Sequence, residues 1–391
     1  MGCGGEHGAS GSASAARGPS LAALVQIVPV ALLSGAERSH RILMPNHPNA
    51  AEVLADEEAI VRFLEPLATA AGAFALKDDC AILRPRAGTD LVLKTDPIAE
   101  GVHFLPEAEP ADIAWKALAV NVSDLAAKGA TPSAYLLALS FPAAPRRSWV
   151  VAFVEGLREA QEAFGCHLLG GDTDRRPGPM TVAITAIGSV PRGRMVRRGT
   201  ARAGDSLFVS GTLGDAALGL QLAKDATRAA AWGLSQQMAR HLCQRFRRPQ
   251  PRLALAGTLR AHASAAMDLS DGLAKDLGRM CKASGCGALV NLADLPLSPA
   301  ARNAVAAETD QYLSVLAAGD DYEILASIPP AREALFQQAA AAAGVAVARI
   351  GHTTATGGVE IKGIDAKALD LTRTGWDHFA AGGETTGPQR G

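Results

Sequence analysis

From residue 51 onward, the apolar positions alternate between helical and strand periods. "AEVLADEEAIVRFLEPLA" (51–68) has them at helical spacing, and "TDLVLKTDPI" (89–98) reads as a strand in which Leu91, Val92 and Leu93 lead to Thr95 and Asp96. "DIAWKALAVNVSDLAAKG" (112–129) predicts a helix stopped by Gly129. "AYLLALSF" (134–141) is a strand, and "RRSWVVAFVEGLREAQEAFG" (146–165) is a helix ending at Gly165. "HLLGGDTD" (167–174) is expected to break on its paired glycines, and "MTVAITAIGSV" (180–190) is a strand. The second half repeats the alternation. "DSLFVSG" (205–211) is a strand and "DAALGLQLAK" (215–224) is helix-like. Ser298 caps a helix with Pro299 in its first turn. "PPAREALFQQAAAAAG" (329–344) is a helix, and "VAVARIG" and "GVEIKG" are strands. Helices and strands mixed in both halves imply an α/β (α+β) protein of two mixed α/β domains. The basic, aperiodic stretch 193–205 is the expected junction.

The ends differ from this pattern. Residues 1–43 begin Gly/Ser/Ala-rich and are expected to be a disordered extension. Their apolar run, "LAALVQIVPVALL", is 13 residues long, too short to span a bilayer. Met44 is a natural alternative start, and 382–391 reads as a tail. The domains are then expected at 44–195 and 196–381. A net charge of −1 gives no reason to expect nucleic acid or an anionic membrane as partner. The arginine cluster 245–252 has a single aromatic, Phe246, among its arginines and reads as a solvated loop. Six scattered cysteines read as reduced thiols of a cytoplasmic protein.

The chemistry lies in the carboxylates. They recur at turns and element ends: Asp78 and Asp79, Asp96, Asp124, Asp172 and Asp174, Asp268 and Asp271, Asp320 and Asp321. Any one of them alone is best read as a cap or turn residue. On its helix Asp124 shares a polar stripe with Asn121 and Lys128, which is either a solvated face or part of a site. As a set they mean more, because close carboxylates destabilise one another unless a cation neutralises them. Hard oxygen donors suit Mg²⁺, which usually works together with substrate phosphates. No Gly-Lys pair exists, so no Walker-type phosphate loop is possible. A phosphate-handling enzyme of this sequence must use Asp–Mg²⁺ bridges.

"DDCAIL", "TDPIAEGVHFLPEAEPADIAWKALAVNVSDLAAKGATP", "GGDTD", "MDLSDGLAKDLG", "AAGDDYEIL" and "GWDHF" follow in this order. Together they resemble the thiamine-monophosphate kinase family, of the superfamily that includes aminoimidazole ribonucleotide synthetase and selenophosphate synthetase. The resemblance spans about 56–381. It implies a homodimer whose N-terminal domains pair through their sheets, with a site between N- and C-terminal domains. It implies transfer of the γ-phosphate of ATP onto thiamine monophosphate. It implies several Mg²⁺ ions held by Asp79, Thr95, Asp96, Asp124, Asp172, Asp268 and Asp271, with Asp79, Asp124, Asp172 and Asp271 central to catalysis. Gly171, Asp172, Arg198 and Ser270 would contact ATP. His103, Asp320 and Trp376 would contact thiamine monophosphate.

Three departures from the family pattern stand out. Lys77 replaces a glycine, Asp320 in Ala318-Gly319-Asp320-Asp321 replaces a glutamate, and Lys94 replaces a small hydroxylated residue. Strand alternation leaves Lys94 two roles at the metal site. Either it offers only its carbonyl there, or its ammonium replaces a cation. Two other readings remain: another ATP-dependent synthetase of the superfamily, and a non-catalytic metal-dependent nucleotide-binding protein. The missing C-terminal cysteine argues against hydrogenase-maturation relatives, and Cys3 lies too far upstream of Asp79 to serve as a selenophosphate synthetase nucleophile.

Overall fold

The computed structural model describes residues 51–363 and Gly375. The extension 1–43, the tail and Trp376 lie outside the described residues. The chain opens with α1 (Glu57–Leu64), shorter than its apolar pattern because Asp56 caps it, its side chain accepting from the Glu58 amide. Then follow β1 (Thr89–Ala99), α2 (Pro110–Ala127), β2 (Thr131–Phe141), α3 (Arg147–Phe164), β3 (His167–Arg175) and β4 (Thr181–Pro191). The four strands form one sheet in the order β1-β4-β2-β3. Contrary to the expected break, β3 runs straight through Gly170 and Gly171, parallel to β2. A Cβ on Gly171 would lie 1.7 Å from the Leu137 carbonyl oxygen, so here glycine permits strand contact rather than ending the strand.

The second half contains β5 (Ser206–Ser210), α4 (Asp215–Lys224), α5 (Arg228–Ala231), α6 (Gln236–Arg247), α7 (Ala256–His262), β6 (Ala265–Asp268) and α8 (Leu273–Ser284). These are followed by β7 (Gly287–Asn291), α9 (Pro299–Ala307), α10 (Gln311–Ala317), β8 (Ile324–Ile328), α11 (Glu333–Ala342), β9 (Val347–Thr354) and β10 (Val359–Lys362). Its six strands run β10-β7-β9-β5-β8-β6, antiparallel except for the β10–β7 pair. The main core of this half gathers Leu207, Val209, Leu218, Leu277, Met280 and Leu325 between sheet and helices. The described residues thus carry two mixed α/β layers, each a sheet with helices packed on it.

In the first sheet α2 and α3 cover one face. On β1 this face takes Val92, Lys94, Asp96 and Ile98, with Val92 and Ile98 buried. The alternate positions face away. There Leu91, Leu93 and Leu136 remain exposed, and the Thr185 hydroxyl bonds that of Thr95 at 3.1 Å.

Candidate active site

Helix α2 is the element that assembles the site. Pro110 starts it, and Gly129, at φ +70°, ends it. Along it the polar stripe noted in the sequence turns inward rather than to open solvent, with Asn121 buried and Asp124 and Lys128 half-buried. Asn121 is fully buried; its Oδ1 accepts from the Asp96 amide at 2.8 Å and its Nδ2 donates to the carbonyls of Ala117 and Asp96. These bonds pin β1 to α2 in a fixed register. That register sets Lys94 Nζ 2.8 Å from an Asp124 oxygen and 3.0 Å from one of Asp96. Burial lowers the Lys94 pKa, but Asp124 and then Asp96 outweigh it and hold the ammonium above the ordinary lysine range. For Asp96, burial wins over Lys94 and the pKa is raised.

The β6–α8 turn faces this group. Asp268 ends β6, and Gly272 (φ +104°) opens α8. Asp276, buried in the first turn of α8, accepts from the amides of Ser270 (3.0 Å) and Asp271 (2.9 Å), which fixes the turn. Burial pushes Asp276 up to about 6. Arg279 contacts Asp271 at 2.6 Å and Asp276 at 2.9 Å, and Lys275 lies 3.4 Å from Asp271. Gly319 (φ +76°) passes so close that its Cβ would meet the Ser270 carbonyl. A pocket of about 320 Å³ opens here, lined by Lys94, Asp124, Asp268 and Ser270 and by the cations Lys128, Arg198 and Arg279. Asp268 is buried, and its Oδ2 has no hydrogen-bond partner. Burial first, and then the charge of Asp124, raise its pKa well above the carboxylate range.

A second cluster sits further along α2. Lys116, only 2% exposed, donates to the His103 carbonyl (2.9 Å) and to Asp320 Oδ2 (2.8 Å), and lies 4.1 Å from the centre of the Phe246 ring. The Tyr322 hydroxyl donates to the other Asp320 oxygen at 3.2 Å. His103 Nδ1 accepts from the Ala99 amide. Asp320 and Tyr322 both adopt left-handed backbone (φ 64° and 50°), a costly conformation concentrated at functional sites.

The sequence-derived residues therefore divide. Lys94, Asp96, Asp124, Arg198, Asp268, Ser270 and Asp271 converge, and His103 joins Asp320 through Lys116. Asp79 stands exposed in the loop before β1. Thr95 and Asp172 lie on the open face of the sheet, away from Asp96, and Gly171 is on edge strand β3. Among the described residues no three His, Cys, Asp or Glu side chains cluster to hold a metal ion. The donor chemistry nevertheless suits a hard divalent cation at Asp124 and Asp268: the orphaned Asp268 oxygen is buried beside a second carboxylate. Sequence reasoning missed Lys116, Asp276 and Arg279. The one available signal was a lysine and an aspartate set among apolar helical positions.

Residues 77–190 match the N-terminal domain of AIR synthase related proteins, and 202–364 match the C-terminal domain. With its two mixed α/β domains, the chain thus falls in the AIR synthase-related class. The chain is 41% identical to the thiamine-monophosphate kinase of Caulobacter vibrioides, over 82% of this chain and 89% of that protein. It also resembles the crystal structure of thiamine-monophosphate kinase from Stenotrophomonas maltophilia K279a, with TM-score 0.70 and 37% identity, covering 81% of this chain and 99% of that one. A further solved structure, AaThiL complexed with AMPPCP and TMP, has TM-score 0.65 and 30% identity, covering 83% and 97%. The chain belongs to the thiamine-monophosphate kinase family.

Proposed function

We propose that this chain transfers the γ-phosphate of ATP directly to thiamine monophosphate, giving thiamine diphosphate and ADP. The observation that carries this reading is the pocket in which Asp124 and Asp268 face Lys128, Arg198 and Arg279. Acids that call for a cation stand beside cations that call for a polyphosphate. The family relationship and the nucleotide analogue and TMP bound by AaThiL support it.

The residues divide the work. Arg198, Lys128 and Arg279 receive the triphosphate, with Ser270 in the turn that Asp276 holds. Gly171 and Asp172 of β3 are assigned to ATP as well. Asp320 and His103, tied together by Lys116, form the thiamine monophosphate side, with Trp376 as a stacking residue for the cationic ligand. The acceptor is already an ionised phosphate, so no strong base is needed; positioning and charge neutralisation supply most of the rate. Asp124, Asp268 and Asp271 are the side chains assigned to Mg²⁺ at this pocket, while Lys94 stands where Asp96 would otherwise meet an ion; Asp79, Thr95 and Asp172, in the loop before β1 and on the open sheet face, are assigned to further ions. Mg²⁺, when bound, neutralises the phosphoryl oxygens. Residues 44–195 and 196–381 are assigned as the two domains of a cytoplasmic homodimer. The exposed Leu91, Leu93 and Leu136 support pairing through the open sheet face that also bears Thr95 and Asp172.

The test is a product assay with purified protein, ATP, Mg²⁺ and thiamine monophosphate. Equal amounts of thiamine diphosphate and ADP are expected, and a chelator should abolish both. ADP without thiamine diphosphate would contradict the proposal.

A further inference from the structure

We infer that the Lys94 ammonium is a built-in cation that occupies the Asp96–Asp124 carboxylate pair. The chain therefore takes up one divalent ion fewer at its acidic site than it would without this lysine. The inference rests on the proposed function for the site's purpose, but its evidence is geometric.

Asn121 locks the backbone of Asp96 from both sides, so the face on which Lys94 and Asp96 stand is not free to change. One ammonium then meets two carboxylates at 3.0 and 2.8 Å, both within charge-assisted hydrogen-bond range. Two negative charges and one positive leave the pair at −1, where a divalent ion would otherwise find −2. A hard divalent cation needs these same oxygens, and it would have to sit beside a like charge that cannot retreat in the direction of Lys128 and Arg198, which line the same pocket. Lys94 does not satisfy the whole site. Asp268 is buried at 5% exposure, and its Oδ2 remains without a partner in that pocket. The demand for a divalent ion is thus displaced toward Asp268 and the Asp124 side and is absent from the Asp96 side. Lys94 serves as a fixed part of the site's charge balance.

The experiment is a Mn²⁺ titration of the full-length, nucleotide-free protein, read by the electron paramagnetic resonance signal of free Mn²⁺. Neither nucleotide nor thiamine phosphate is present, so failure here leaves the kinase proposal to its own assay. Lys94→Met should bind one additional Mn²⁺ per chain, or bind it roughly tenfold more tightly. Lys94→Arg, which keeps the charge, should titrate like the parent. Adding Asp96→Asn to Lys94→Met should abolish the gain. Equal stoichiometry and affinity for the parent and Lys94→Met would overturn the inference. Should Lys94→Met not fold, Asp96→Asn alone decides: an unchanged Mn²⁺ count supports the inference, and loss of an ion overturns it.

Discussion

A buried carboxylate oxygen without a partner is costly unless a proton or a cation neutralises it, and Asp268 carries such an oxygen. Asp268→Asn should therefore melt at a higher temperature than the parent in chelator, since the cost of burying or protonating this carboxylate is gone. It should also lose the stabilisation that Mg²⁺ gives the parent, and lose activity. Thermal melts with and without Mg²⁺ check this, and an unchanged response to Mg²⁺ would contradict the role given to Asp268. Asp124 faces both Lys94 and the pocket. Asp124→Asn should keep its circular dichroism spectrum and lose about a hundredfold in turnover, in the range for removal of a major electrostatic group; a near-normal rate would refute the assignment. That Asp96, Asp124, Asp268 and Asp271 stand near one another was legible from the recurrence of acids at turns and element ends. Two cationic neighbours of the recurring acids, Lys116 and Arg279, were not. Lys116 reads as an ordinary helical lysine until the fold brings it to Asp320, 204 residues away in sequence. The orientation of Lys94 depends on which face of β1 meets α2, and only the Asn121 bonds to Asp96 fix that.

The elements most clearly written in the sequence are those closed by local chemistry. Gly165 adopts the left-handed cap that ends α3, and Ser298 accepts from the Ala301 amide to start α9. Strand β3 was misread because glycine pairs usually mark turns, while the Leu137 carbonyl that demands Gly171 belongs to another strand. Helix α4 offers an element-scale test. Asp215, in its first turn, is fully buried and accepts from Thr212 and Ser298 hydroxyls at 2.6 Å, with His241 at 3.1 Å. Burial raises its pKa, but the bonds from His241, Ser298 and Thr212 outweigh it and leave the carboxyl below the usual range. A depressed folded pKa adds stability above the unfolded value and loses it as pH falls through the folded one. Asp215→Asn should therefore cost about 2 kcal/mol at neutral pH. Its deficit should shrink progressively on acidification below the ordinary Asp pKa of about 4. Urea unfolding at neutral and acidic pH measures it, and a pH-independent deficit would count against this account.

For the whole molecule, the alternating periods were enough to read two mixed α/β domains. The second sheet was read incompletely: β7 and β8 are short buried strands without alternation, and α6 and α7 were not singled out in the sequence. The open face of the first sheet is the molecule's main unpartnered apolar surface among the described strands, with Leu93 65% exposed beside Leu91. If a second copy covers it, Leu93→Asp should convert a dimer to monomers and reduce activity, as read by light scattering and the product assay. A variant that remains dimeric would exclude this face as the interface. What defines the activity of the whole molecule, however, is the fate of one phosphoryl group. With ATP labelled at the γ-phosphate and thiamine monophosphate in excess, label should pass into thiamine diphosphate in a one-to-one ratio with ADP. Label recovered as inorganic phosphate, with thiamine monophosphate unchanged, would contradict direct transfer.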